Sequence, residues 1–171
     1  RDLGARAVLA VNTVGGISPA CAPGVLAVPD QLIDYTWGRA HTFSDGPGVP
    51  ASLEPDDSGL FGAVQHADFE SPFSNCWRKA LLTAGEALGL SPLDRGCVGV
   101  TQGPRLETAA EVERLARDGC DMVNMTLQPE ASLAREAGLA YACLAVVANR
   151  AAGRADTPIT LEAIENTVRE A

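Results

Sequence analysis

The chain has 171 residues, 46% of them apolar, which is enough for one domain with a substantial core. Its 22 acidic and 13 basic residues give a net charge of −9, excluding a surface built to hold nucleic acid or an anionic membrane. The five cysteines, Cys21, Cys76, Cys97, Cys120 and Cys143, are widely spaced without a CxxC or Cys/His cluster, so they read as reduced thiols of a cytoplasmic protein, not as a disulfide or metal framework.

ARAVLAVN (5–12) is a Val- and Leu-rich run that predicts a buried strand, ending in a tight loop at Gly15-Gly16. GVLAVPDQLID (24–34) is a second extended piece, interrupted by Pro29, and the Gly-, Pro-, Ser- and Asp-rich residues 42–60 predict a loop. SPFSNCWRKALLTAGEALGL (71–90) has helical spacing over about 74–88 and stops at Gly89. A strand at 96–101, a helix at 109–118, a strand at about 121–125, a helix at 129–137 opened by Pro129 and a strand at 140–148 follow. TPITLEAIENTVREA predicts a last helix with Thr160 as its N-cap. Strands alternating with helices give an α/β fold around a central sheet that is parallel at least in part, in a single domain. No apolar run approaches the roughly 18 residues of a membrane span, and no signal peptide is visible.

TQGPRLETAAE (101–111) places two acids beside one helix start. Thr108-Ala-Ala-Glu111 has the form of a capping box, which gives Glu111 a structural role. Glu107 lies in the loop leaving a strand, either as a solvated acid or as an acceptor for a ligand's ring N–H. VNTVGGI (11–17) reads as a glycine-bearing turn whose N–H groups suit an oxyanion. Met125 and Thr126 follow a strand, Met125 as core or as ligand contact, and Asn149 ends another strand with an amide that both donates and accepts. His41 and His66 lack metal-ligand spacing. The polar signals share one placement, at strand exits, where open α/β sheets take ligands.

AVNTVGGI, VPDQLIDYT, HADF, TQGPRLETAAE, NMTLQPEASLARE and ANRAAG occur in the order found in the trimeric purine nucleoside and methylthioadenosine phosphorylases, and the pattern most resembles their methylthioinosine branch. The resemblance runs through the whole chain. It implies a three-layer αβα phosphorylase-like fold with a central mixed sheet, in one domain over 1–171. It also implies that the family's N-terminal phosphate-loop region and the end of its last helix lie outside this chain.

The activity implied is phosphorolysis of a purine nucleoside, S-methyl-5'-thioinosine first, to a 6-oxopurine and 5-methylthioribose 1-phosphate. The alternatives are an inosine/guanosine phosphorylase, a methylthioadenosine phosphorylase, or a non-catalytic nucleoside-binding paralogue. Inorganic phosphate would be the co-substrate, with no cofactor, metal, nucleic acid or membrane partner, and the assembly a homotrimer.

By position, the resemblance gives Glu107 and Asn149 the purine edge as catalytic groups. Thr13 would offer its backbone N–H to phosphate, with Val14 and Gly15 against the nucleoside. Met125 would lie on the ribose, Thr126 would give its hydroxyl to phosphate, and His66 would reach a neighbouring subunit's site. In the adenine-specific branch Ser stands at the Glu107 position and Asp at those of Asn149 and Ala151, so Glu, Asn and Ala here favour a 6-oxo base. Leu161 and Ile164 stand where the inosine/guanosine branch meets a 5′-hydroxyl; they either suit a methylthio group or form the helix's core stripe. Asn124 replaces a usual Gly, and Ala148 a usual Thr.

Overall fold

The computed structural model describes residues 3–44, 66–155 and 158–171, so most of the predicted loop at 42–60 lies outside the described residues. Among them the order is β1 (Ala7–Gly16), β2 (Leu26–Ala27), β3 (Gln31–Asp34), α1 (Asn75–Ala87), β4 (Cys97–Val100), α2 (Ala109–Arg117), β5 (Met122–Asn124), α3 (Leu127–Glu136), β6 (Ala140–Arg150) and α4 (Leu161–Glu170). The alternation expected from the periodicity is therefore present, and the strands form one mixed sheet in the order β2-β6-β1-β5-β4-β3. β1 runs parallel to β6 and antiparallel to β5, while β3, β4 and β5 run parallel.

The extended piece around Pro29 is two strands, not one. β2 occupies one edge of the pairing order and β3 the other, yet only Val28, Pro29 and Asp30 separate them. Three residues reach roughly 10 Å at most, so the two edges must approach and the sheet must curl. Leu93 fills the gap: its N–H donates to the Leu26 carbonyl at 2.8 Å and its carbonyl accepts from Val28 N–H at 2.8 Å. Arg78 of α1, buried to 9% exposure, holds the crossing. Its guanidinium donates to the carbonyls of Pro29 at 2.9 Å and Val28 at 3.1 Å, to the Asp94 carbonyl, and to Asp94 Oδ1 at 3.1 Å.

Inside the curl, Val14, Val98, Val100, Met122, Leu127, Tyr141, Cys143 and Val147 form the main buried cluster. Burial alternates along β1 as the period of a strand requires, with Val11 left 72% exposed on the opposite face. Gly15-Gly16 lies within β1, not in a turn. A Cβ at Gly16 would stand 1.9 Å from the Cys21 carbonyl oxygen, and one at Gly15 3.1 Å from Val123 Cγ1. These glycines serve close approach of neighbouring chain, the other use of glycine in a strand. α3 begins at Leu127, but Gln128 has φ −113 and ψ 138, so its regular turns start at Pro129 as the sequence predicts.

α2 starts with the expected capping box: Thr108 Oγ accepts from Glu111 N–H at 3.1 Å, and Glu111 Oε2 accepts from Thr108 N–H at 2.7 Å. Arg105 grips the same carboxylate at 2.7 Å and 2.8 Å. The Arg105 guanidinium first, then the Thr108 N–H, holds the Glu111 pKa down to about 2. A depressed carboxylate stabilises the folded state above its ordinary value and loses that contribution as pH falls through the folded value. Amide-exchange protection at the start of α2 should therefore hold above pH of about 4.5 and decay between there and about 2. Replacing Thr108 by Ala should cost about 1 kcal/mol in denaturant unfolding.

Candidate functional site

Where β1 and β5 diverge, the curl leaves a cavity of about 260 Å³. Its walls come from Thr13, Val14 and Gly15 of β1, from Val123 to Thr126 at the end of β5, and from Leu106-Glu107 after β4. Ala148, Asn149, Ala151 and Ala152 close it from β6 onward, and Ile159 and Ile164 from the chain around the start of α4. One irregularity aims Asn149. β1 and β6 pair in step from Ala7↔Ala140 to Val14↔Val147, and then the register skips Ala148, setting Asn149 opposite Gly15. Because strand side chains alternate faces, the extra residue turns Asn149 from the core side, where Val147 points, to the side of Thr13. Its Nδ2 donates to the Arg150 carbonyl at 2.7 Å, which leaves one N–H and the amide oxygen for a ligand.

The acceptor at the other wall is equally held. Thr101, just past β4, donates its hydroxyl to Glu107 Oε1 at 2.5 Å and its N–H to the Asn124 carbonyl at 2.8 Å. Glu107 thus has a fixed position and a second oxygen to offer. It also borders a neighbouring cavity of about 320 Å³ that includes Tyr35, Trp37, Gln102, Arg105 and Arg114. At the floor, the Thr126 hydroxyl receives the side-chain amides of Asn12 and Asn124, each at 2.9 Å. Asn124 is itself buried, at 6% exposure.

Arg39 joins the loops that carry these groups. Its guanidinium donates to the carbonyls of Gln102 at 2.8 Å, Thr101 at 3.3 Å and Met125 at 2.8 Å, to that of Gln128, and to Gln102 Oε1 at 3.2 Å. One planar fork therefore fixes the exits of β4 and β5 against each other.

The structure brings together Thr13, Val14, Gly15, Glu107, Met125, Thr126, Asn149, Ala151 and Ile164 around one cavity. Two predicted residues stand apart from it. His66 is exposed and absent from the wall. Leu161, the first residue of α4, is 78% exposed and does not line the cavity, so the apolar surface from this region is Ile159 with Ile164. Thr13 belongs to the strand body, so the cavity opens on the side of β1 and not at its exit. Asn12, Arg39 and Ile159 carried no sequence signal of their own. Asn124 had one, an Asn two residues before a Thr at a helix start, a spacing at which the amide can bond the backbone. Among the described residues no group of three or more His, Cys, Asp or Glu could hold a metal ion. None of their helices is long and apolar enough to cross a membrane.

Loss of the Arg39 fork should be felt as stability. Arg39→Met strands several carbonyls and should cost on the order of 3 kcal/mol in denaturant unfolding. Arg39→Lys should recover only part, because a point charge cannot bridge the same set of oxygens.

Comparison with known proteins gives the same family throughout. The family model described as "Phosphorylase superfamily" matches residues 1–171. A protein of Xanthomonas campestris described as "Probable S-methyl-5'-thioinosine phosphorylase" is 53% identical over 156 residues, covering 91% of this chain and 57% of the relative. One of Xylella fastidiosa (strain Temecula1) with the same description is 51% identical over 172 residues, covering 100% of this chain and 64% of the relative. Among solved structures, the methylthioadenosine phosphorylase of Schistosoma mansoni in complex with adenine superposes with a TM-score of 0.87 at 30% identity, covering 99% of this chain and 62% of that one. The chain thus spans about three-fifths of the length of these relatives.

Proposed function

Because the chain belongs to the phosphorylase superfamily, we propose that the native protein cleaves a purine nucleoside by phosphorolysis, with S-methyl-5'-thioinosine as its preferred substrate. The products are hypoxanthine and 5-methylthioribose 1-phosphate. The observation that carries this reading is the shared cavity: a carboxylate at Glu107 and an amide at Asn149 border the same space as the Thr126 hydroxyl. A planar base with a 6-oxo group and an N1–H meets an acceptor and a donor there, and a tetrahedral anion meets a hydroxyl.

The chemistry follows from that arrangement. A phosphate oxygen bonds to the anomeric carbon while the glycosidic bond breaks, and the bond's electron pair leaves with the purine. The sugar passes through an oxocarbenium-like state, so the protein's task is to hold charge, not to form a covalent intermediate. The free N–H of Asn149 donates to the base where negative charge gathers, an interaction that strengthens as the bond lengthens. Glu107, kept in place by Thr101, accepts from N1–H. Thr126 gives its hydroxyl to phosphate beneath the anomeric carbon, and holding both substrates in one cavity supplies the proximity contribution. Phosphate is the nucleophile and the reaction needs no cofactor.

Specificity has two ends. An adenine N1 would turn a lone pair toward the Glu107 carboxylate, leaving both acceptors unpaired, the arrangement that discriminates most strongly. At the sugar's far end Ile159 and Ile164 suit a methylthio group and offer nothing to a 5′-hydroxyl. The same reading makes the protein a homotrimer in the cytoplasm, with the exposed His66 serving a neighbour's cavity.

Assaying the native protein on methylthioinosine, inosine and methylthioadenosine, with and without phosphate, tests the proposal. Phosphate-dependent cleavage with methylthioinosine first is the expected result; nucleoside binding without turnover selects a non-catalytic paralogue. Glu107→Gln should narrow the preference for 6-oxo over 6-amino substrates by roughly ten- to a hundredfold in kcat/KM. Ile164→Asn should raise KM for methylthioinosine relative to inosine, whereas Leu161→His, at a surface position, should leave the substrate order unchanged.

A further inference from the structure

The Thr126 hydroxyl is surrounded in a way that decides which way its proton points. Asn124 Oδ1 accepts from the backbone N–H of Thr126 at 2.9 Å and of Leu127 at 3.0 Å. Backbone N–H groups only donate, so the oxygen end of this amide is pinned to them and its NH2 end must face Thr126 Oγ. That fixes the polarity of the 2.9 Å contact between the two side chains: nitrogen donates, hydroxyl oxygen accepts. Asn12 Nδ2 donates to the same oxygen, also at 2.9 Å, from the neighbouring strand. A hydroxyl has two lone pairs and one hydrogen. With both lone pairs engaged by amides, the hydrogen is left to the open side, and Thr126 borders the cavity there.

We infer that Asn124, aided by Asn12, is a positioning residue that locks the Thr126 hydroxyl as a donor aimed at an anionic oxygen of the co-substrate, inorganic phosphate. This rests on the phosphorolytic reading of the site. The device supplies an anion-directed donor where no Lys or Arg is among the described residues that line the cavity. It also gives the Asn in place of the usual Gly a function at this position: a glycine there would leave the hydroxyl free to turn its proton away. The burial of Asn124, at 6% exposure, keeps water from competing for its amide.

A purely structural role for Asn124, holding the turn into α3, is separable from this one. Asn124→Asp keeps an oxygen for the two backbone N–H groups but replaces the NH2 by a second acceptor. The Thr126 hydroxyl then donates inward and is lost to phosphate. The added charge would repel phosphate by itself, so the substitution is made both in the native protein and in a Thr126→Val background that has no hydroxyl to turn. Phosphate affinity is read by calorimetric titration of inorganic phosphate, beside thermal unfolding of each variant. Expected is a loss of about ten- to a hundredfold in affinity beyond whatever Asn124→Asp costs in the Thr126→Val background, with unfolding little changed. Equal losses in the two backgrounds, or no loss in either, would overturn the positioning role while leaving phosphorolysis intact. If the native protein binds no phosphate, the phosphorolytic reading falls and takes this inference with it.

Discussion

The structure depends on a constraint of reach: three residues, Val28, Pro29 and Asp30, must join the opposite edges of a six-stranded sheet. A flat sheet of that size would hold its edges several strand spacings of about 4.8 Å apart, beyond what three residues span. The sheet therefore curls until its two edges approach each other. β1 and β5 stay paired only at Gly15↔Val123 and Gly16↔Met122, and the space where they part becomes the cavity. The crossing would leave the carbonyls of Val28 and Pro29 turned inward without partners, and Arg78 supplies them. Arg39 does the same at the loops beyond β4 and β5. In both places one guanidinium gathers several backbone oxygens, which is how a curled sheet satisfies carbonyls that a regular ladder would have paired.

Much of this was legible in the sequence, and the remainder was hidden for specific reasons. Helix starts were local and came through: Thr108 and Thr160 both accept from the backbone N–H three residues on. The alternation of strands and helices also came through, because apolar periodicity is set by which face is buried. Gly15-Gly16 misled because glycine marks turns and tight approaches alike, and only the position of the Cys21 carbonyl decides between them. Pro29 was visible as an interruption, but not that the chain changes edges there, since pairing partners are non-local. Of the site, Glu107, Asn149, Met125 and Thr126 stood out by type and placement. Asn12 did not, because its partner Thr126 is 114 positions away. The skipped residue Ala148 has no signature in composition, yet it turns Asn149 toward the cavity.

The cavity is lined largely without charge, although the chain as a whole is acidic. Its floor is built from neutral dipoles, side-chain amides and a hydroxyl, with each orientation fixed by a further hydrogen bond. Such groups need no counter-charge and undergo little reorganisation when a ligand arrives. The carboxylate on the wall, Glu107, is tied to Thr101, and Thr101 is tied in turn to the Asn124 backbone. The Glu107 wall and the floor are thus parts of a single hydrogen-bonded unit.

The way Leu93 pairs with the outside of β2 has a bearing on how the chain behaves in concentrated solution. Unpaired rims of sheets are the usual templates on which further copies add as extra strands and grow into fibrils. At β2 that rim is short: the Leu26 carbonyl accepts from Leu93 and the N–H of Val28, just past the strand, donates to it, so among the described residues this side of the sheet is a poor template for an added strand.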